Sequence, residues 1–146
     1  MRSKGIRIAI EPHPGTQISS RADYDRILTE IDDPLVGVTI DTGHFYSGGI
    51  DLQSFIRDYG KRIFNVHFKD QIGRFLTAEE ERYSVPLGTG EIDLRRVVEL
   101  LEEIGYSGAL AVELEVSDPQ NLPRYCKDAY DYTQKLVYEI TCGYAD

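Results

Sequence analysis

No apolar run in this 146-residue chain approaches the roughly 20 residues that a membrane-spanning helix needs. The chain opens Met-Arg-Ser-Lys-Gly and passes straight into a strand-like run, without the apolar core of a secretory signal. A cytoplasmic protein with no membrane contact is therefore expected. Cysteine is scarce: Cys126 and Cys142 are the only two, they form no CxxC pair, and they read as reduced thiols of a cytosolic protein. Basic charge is in deficit as well, with 16 Lys and Arg against 25 Asp and Glu and a net charge of −9. That balance opposes the clustered cations that hold a nucleic-acid backbone, so no nucleic-acid partner is expected. Low-complexity segments and domain-sized linkers are missing too. What remains is a single domain over residues 1–146, large enough to bury about 70% of its unfolded surface.

Against these absences the chain shows a regular alternation. Short runs rich in β-branched residues, at 5–11, 36–41, 63–68 and 109–114, are separated by amphipathic stretches. Ser20 is placed to cap a helix with Tyr24, Ile27, Leu28 and Ile31 on one face, and Asp51 to cap a short one carrying Leu52, Phe55, Ile56 and Tyr59. Asp93 precedes Leu94, Val97, Val98, Leu101 and Ile104 at helical spacing, with Gly105 as the stop. A last helix over about residues 119–138 carries Tyr125, Tyr130, Tyr132 and Tyr138, expected to pack on the chain's own sheet or to serve a subunit interface. The segment holding Gly43, Gly48 and Gly49 reads as a loop, and so does the polar stretch 69–90, apart from a turn of helix at 77–81. Strand then helix, four times over with nearly continuous apolar strands, predicts parallel strands buried on both faces. The fold class is α/β with about four βα repeats, either an open sheet or half of a (β/α)8 barrel.

Each of the four strands ends in a residue able to bind a divalent metal: Glu11, Asp41, His67 and Glu113. Parallel strands put their C-terminal ends on one side, so four ligand types at four equivalent positions converge where α/β active sites lie. Three carboxylates and an imidazole, without thiolate, favour one divalent ion, Mn²⁺ first, with Mg²⁺, Co²⁺ or Zn²⁺ as alternatives. His44 lies three residues past Asp41, a spacing that lets both side chains face one pocket, and His13 lies two past Glu11 between two prolines. Both are candidate substrate contacts. Lys69 and Arg74 follow His67 and are candidates for holding an anionic group. Gly88-Thr-Gly90 precedes a helix N-terminus, where free N–H groups can bind a phosphate, although a tight turn feeding a capped helix explains the same pattern.

Five stretches carry a resemblance: Gly5-Ile-Arg-Ile-Ala-Ile-Glu11, Gly37-Val-Thr-Ile-Asp-Thr-Gly-His44, Val66-His-Phe-Lys-Asp70, Pro86-Leu-Gly-Thr-Gly-Glu-Ile-Asp93 and Gly105-Tyr-Ser-Gly-Ala-Leu-Ala-Val-Glu113. In this order and spacing the chain resembles the xylose isomerase-like TIM barrel superfamily of sugar phosphate isomerases and epimerases. The resemblance implies the C-terminal half of such a barrel, with a catalytic metal on Glu11, Asp41, His67 and Glu113. It also implies that Glu11 and Glu113 exchange protons with a bound sugar or sugar phosphate and that His44 touches that substrate. The implied activity is isomerisation or epimerisation through an enediolate, incomplete or lost where the N-terminal half-barrel is absent. Where the epimerases place a second glutamate and an arginine, this chain has Gln17 and Gly73, the latter beside Arg74. An inosose dehydratase-like lyase, starting from the same proton abstraction, is the first alternative. A non-catalytic half-barrel that assembles into a homodimer or larger is the second. A repair endonuclease of the endonuclease IV type is disfavoured by the acidic charge, by only three histidines and by the lack of any Asp-x-His pair.

Overall fold

Turns and caps divide the chain where the sequence suggests, and the strands that result are short. In the computed structural model, which describes residues 5–74, 84–115 and 119–143, the strands are β1 (Ile8–Ile10), β2 (Val36–Asp41), β3 (Ile63–Phe68), β4 (Asp70–Gln71), β5 (Ser84–Val85) and β6 (Leu110–Val112). The helices are α1 (Arg21–Glu30), α2 (Thr42–Ser47), α3 (Leu52–Tyr59), α4 (Leu94–Glu103) and α5 (Leu122–Cys142). Strands β1, β2, β3 and β6 form one parallel sheet in that order, leaving β1 and β6 at its edges. β4 and β5 make a separate antiparallel pair.

Register decides what each face of the sheet carries. Ala9 pairs with Gly37, Thr39 with Asn65, Asp41 with His67, and His67 with Ala111. Side chains alternate along a strand, so these residues share one face, and it is small and polar. The other face presents Val38, Ile40, Val66 and Phe68, all 0% exposed, to the helices. The strands are thus not apolar on both faces, as their composition alone suggests. One face is core and the other leads to the site.

The helices cover the apolar face with the residues their spacing predicts. Tyr24 and Leu28 of α1, Phe55 and Ile56 of α3, Leu94, Val97, Val98 and Leu101 of α4, and Leu136 and Ile140 of α5 are buried. Tyr24, Phe45 and Phe55 pack ring against ring, with Phe55 edge-on to Phe45 at 4.8 Å between centroids. Such a cluster contributes about 0.5–1.5 kcal/mol per pair beyond its area burial. Three side-chain caps start helices as expected. Ser20 forms a reciprocal box with Asp23, Asp51 accepts from the N–H groups of Gln53 and Ser54, and Asp93 accepts from Arg96 N.

The structure departs from the sequence reading in three places. The segment after Asp41 is helix α2 rather than a glycine loop, because the Asp41 carboxylate accepts from His44 N at 2.7 Å and starts a turn that Gly43 tolerates. Part of the polar stretch 69–90 is ordered as the β4–β5 pair, while the turn expected at 77–81 lies outside the described residues. On α5 the buried stripe is Ala129, Thr133, Leu136 and Ile140, and Tyr130 and Tyr138 are exposed. Of the four tyrosines, Tyr132 packs partly buried on the core and Tyr125 is half-buried, so the expected packing holds for these two and not for Tyr130 and Tyr138.

Candidate metal centre

Asp41 is the last residue of β2, and His67 stands beside it in register near the end of β3. Glu11 follows β1 immediately and Glu113 follows β6 immediately. The C-terminal ends of four parallel strands therefore deliver these side chains to one place, with one ligand atom from each lying within 4.8 Å of the others. His67 Nδ1 is hydrogen-bonded to Glu11 Oε1 at 2.9 Å and lies 3.2 Å from Glu113 Oε2. The imidazole so bridges carboxylates brought in from opposite edges of the sheet.

His44 adds to the cluster from α2. Its Nδ1 lies 2.9 Å from the carbonyl of Pro12, which can only accept, so Nδ1 carries the proton. The same atom is 3.7 Å from Asp41 Oδ2 and 3.8 Å from Glu11 Oε1. The His13 ring leans on His44 with centroids 4.5 Å apart. Both histidines thus sit beside the four strand-end residues. Arg74 does not join them: it is exposed and stacks over Tyr46, whose hydroxyl donates to Glu91. Lys69 reaches the cluster from behind. It is 0% exposed, and its Nζ lies 3.4 Å from Asp41 Oδ2, 3.4 Å from Glu113 Oε1 and 3.1 Å from Glu115 Oε2. Burial lowers the pKa of this ammonium, but Asp41, Glu115 and Glu113 together outweigh burial and hold it above the ordinary lysine value. The acidic field is felt further out, where burial and then the charges of Glu11 and Asp41 push the Tyr24 hydroxyl far above its usual value.

Two features went unread in the sequence. Glu115 lies two residues past Glu113, so the Glu-x-Glu alternation itself was the signal that both carboxylates turn the same way. Asp70 was the other. Its Oδ2 accepts from Gly88 N and Gly90 N at 2.9 Å each, and its Oδ1 accepts from Gln71 N and Ile92 N. The Gly88 and Gly90 N–H groups, candidates for a phosphate, are occupied by this buried carboxylate, and the segment is a tight turn feeding α4.

The donor set fits a divalent cation. Three carboxylates, Glu11, Asp41 and Glu113, meet the His67 imidazole within 4.8 Å, and the Lys69 ammonium lies beside two of them, Asp41 and Glu113. Asp41 Oδ2 and Glu113 Oε2 are buried oxygens that accept no hydrogen bond among the described residues. Buried acceptors left unsatisfied are costly, and a cation at this point satisfies them. The oxygen-rich set with one imidazole is the chemistry of an open catalytic site rather than a closed, thiolate-rich structural one.

Parallel strands, helices on one face and this acidic cluster at the strand ends define the class: an α/β protein with a four-stranded parallel sheet and a candidate metal site at its C-terminal edge. The comparison with known proteins narrows it. Residues 1–136 match the family described as xylose isomerase-like TIM barrel, and the chain belongs to that family. It is similar to inosose dehydratase of Lacticaseibacillus casei, 34% identical over 132 residues that cover 81% of this chain and 43% of the relative. Inosose dehydratase of Geobacillus thermodenitrificans (strain NG80-2) is 33% identical over 154 residues, covering 96% of this chain and 49% of the relative. Among solved structures, the IolI protein with a zinc atom bound has a TM-score of 0.80 at 26% identity, over 96% of this chain and 52% of that one. The chain spans about half the length of the relatives it matches. Among the described residues no helix is long and apolar enough to cross a membrane.

Proposed function

We propose that this chain carries the metal-holding and proton-transferring half of a lyase of the inosose dehydratase kind, which removes water from a cyclic keto-polyol. The observation that carries the reading is the convergence of Glu11, Asp41, His67 and Glu113 within 4.8 Å at the strand ends. The dehydratase names of relatives 33–34% identical favour dehydration over the isomerisation that the family resemblance put first.

A divalent ion held by those four residues supplies Lewis-acid polarisation of substrate oxygens and offsets the negative charge of the ligand set. Zinc in the similar IolI structure supports a divalent ion, and Mn²⁺ remains our first choice from ligand softness. Glu11 and Glu113 approach His67 Nδ1 from opposite sheet edges, so a substrate seated there has a carboxylate on each side. One takes the proton from the carbon next to the carbonyl as the C=C bond forms. The other delivers a proton to the hydroxyl leaving the adjacent carbon, so that one keto-polyol gives one unsaturated ketone and one water. We assign contact with the substrate's hydroxyls to His44 and His13, whose rings pack together beside the strand ends, and leave Arg74, exposed over Tyr46, out of the site.

An isomerase or epimerase acting on a sugar or sugar phosphate would begin with the same abstraction and return the proton to carbon. Incubating the purified chain with an inosose and Mn²⁺, Co²⁺, Mg²⁺ or Zn²⁺ separates the two by mass. A product lighter by one water supports dehydration, and a rearranged product of unchanged mass overturns it. The open edges β1 and β6 and the exposed Ile6 and Ile8 also support self-association into a homodimer that completes the substrate pocket. Sedimentation as a compact monomer at micromolar concentration overturns that part.

A further inference from the structure

We infer that Lys69 is a positioning residue for the metal centre, a fixed internal cation that sets the orientation of Glu113 and Asp41, and that Glu115 anchors it from outside the ligand set. The inference rests on the metal reading above and concerns residues which that reading does not use.

The geometry is specific to the orientation of Glu113. Its carboxylate is shared between two neighbours: Oε1 lies 3.4 Å from Lys69 Nζ, while Oε2 lies 3.2 Å from His67 Nδ1 and is otherwise unsatisfied. Asp41 meets the same ammonium in the other arrangement. Its Oδ1 is taken by His44 N, and its Oδ2 lies 3.4 Å from Lys69 Nζ with no hydrogen bond. In Glu113 the oxygen without a hydrogen bond is turned away from the lysine toward His67, and in Asp41 it is the one lying between Lys69 Nζ and His44 Nδ1. A single ammonium thus presents two ligands at once. The closest of its three carboxylates is Glu115, at 3.1 Å, which leaves Lys69 near Asp41 and Glu113 without hydrogen bonds of its own to either.

The fold invests in this placement. A lysine that is 0% exposed is rare unless paired, and burying an ammonium costs several kcal/mol before compensation. Its backbone is locked by Thr42, whose hydroxyl donates to the Lys69 carbonyl at 2.5 Å and accepts from Lys69 N at 2.9 Å. The side chain runs past Gly43, where an added Cβ would lie 2.8 Å from Lys69 Cδ. The glycine of the Asp-Thr-Gly-His stretch therefore leaves room for the lysine stem. A substrate-binding lysine needs its ammonium in the open, and this one is enclosed by carboxylates. Partners that orient metal ligands typically contribute 10- to 100-fold in affinity, which sets the expected effect at about that size.

The experiment is calorimetric titration of Mn²⁺ into wild type, Lys69→Met, Lys69→Arg and Glu115→Gln, each first checked for a cooperative thermal transition. Wild type that binds no divalent metal refutes the metal reading itself. Given binding by wild type, Lys69→Met is expected to lose about 10- to 100-fold in affinity, and Lys69→Arg, which restores a cation, to recover most of it. Unchanged or tighter binding by Lys69→Met overturns the inference, because the lysine then only fills space or opposes the metal. Equal losses in the two lysine variants overturn it as well, because the charge then has no role. If Lys69→Met does not fold, Glu115→Gln decides: it keeps the lysine and its volume, and weaker Mn²⁺ binding is expected, while wild-type affinity overturns the anchoring.

Discussion

Asp41 and Asp70 are both buried carboxylates at the C-terminal side of the same sheet, 0% and 1% exposed, and they are treated in opposite ways. Asp70 accepts four backbone N–H groups, from Gln71, Gly88, Gly90 and Ile92, which fold the turn before α4 around it. Asp41 accepts one, from His44, and keeps its second oxygen unsatisfied among other carboxylates. Hydrogen-bond satisfaction thus separates a carboxylate whose two oxygens are both taken by backbone N–H groups from one that keeps an oxygen open to a ligand. Burial and residue type do not separate them.

The largest expected effect is on metal binding. Asp41→Asn and Glu113→Gln should each reduce Mn²⁺ or Zn²⁺ binding below calorimetric detection, whereas Asp70→Asn should leave it within a few-fold of wild type. Equal metal affinity in all three variants removes the distinction. Next comes folding. Asp70→Ala should destabilise the chain by about 3 kcal/mol in urea unfolding, because several N–H groups lose a charged acceptor. Asp41→Asn keeps the cap of α2 but removes one of the charges facing the buried Lys69 ammonium, so a smaller metal-free loss of about 1–2 kcal/mol is expected.

Ligand linkage sharpens the same contrast. Metal at about 100 times its dissociation constant should stabilise wild type by about 2.7 kcal/mol, and Asp41→Asn should show no such shift in its thermal transition. The smallest effect belongs to a half-buried carboxylate, Asp23 in the cap of α1. The Ser20 hydroxyl, then the backbone N–H groups of Ser19 and Ser20, hold its pKa below the usual value of 3.8. A lowered folded-state value means its contribution is present above about pH 4 and is lost as pH falls through the folded value. Urea midpoints compared at about pH 6 and about pH 3 should fall slightly more in wild type than in Asp23→Asn, and an equal fall would argue that the cap is inert to charge.

Much of the fold was legible because its signals are local. Caps at Ser20, Asp51 and Asp93, the apolar spacing of α4 and the β-branched runs each act within a few residues. Helix α2 was not legible, since three glycines argue for a loop and only the Asp41 carboxylate folding back onto His44 N offsets them. The β4–β5 pair was missed for a related reason, its partners being two residues each and separated by a long polar stretch. Of the site, the four strand-end ligands could be read because parallel topology turns sequence position into spatial position. The fate of Lys69 could not. Next to His67 it looked like a substrate contact, and only the three-dimensional packing turns it inward onto Asp41, Glu113 and Glu115.

By itself, the sequence determined the alternation of strands and helices, the acidic balance and the four residues that meet at the strand ends, because each follows from short-range pattern and one topological rule. The tertiary structure alone decided which carboxylates are satisfied and which are left open. Hydrogen-bond partners 18 to 22 residues apart around Asp70, and ion pairs 28 to 46 residues apart around Lys69, have no trace in local sequence. They arise only when strands and helices pack and water is excluded, and that exclusion makes an Asp41 oxygen without a hydrogen bond costly enough to mark a candidate site.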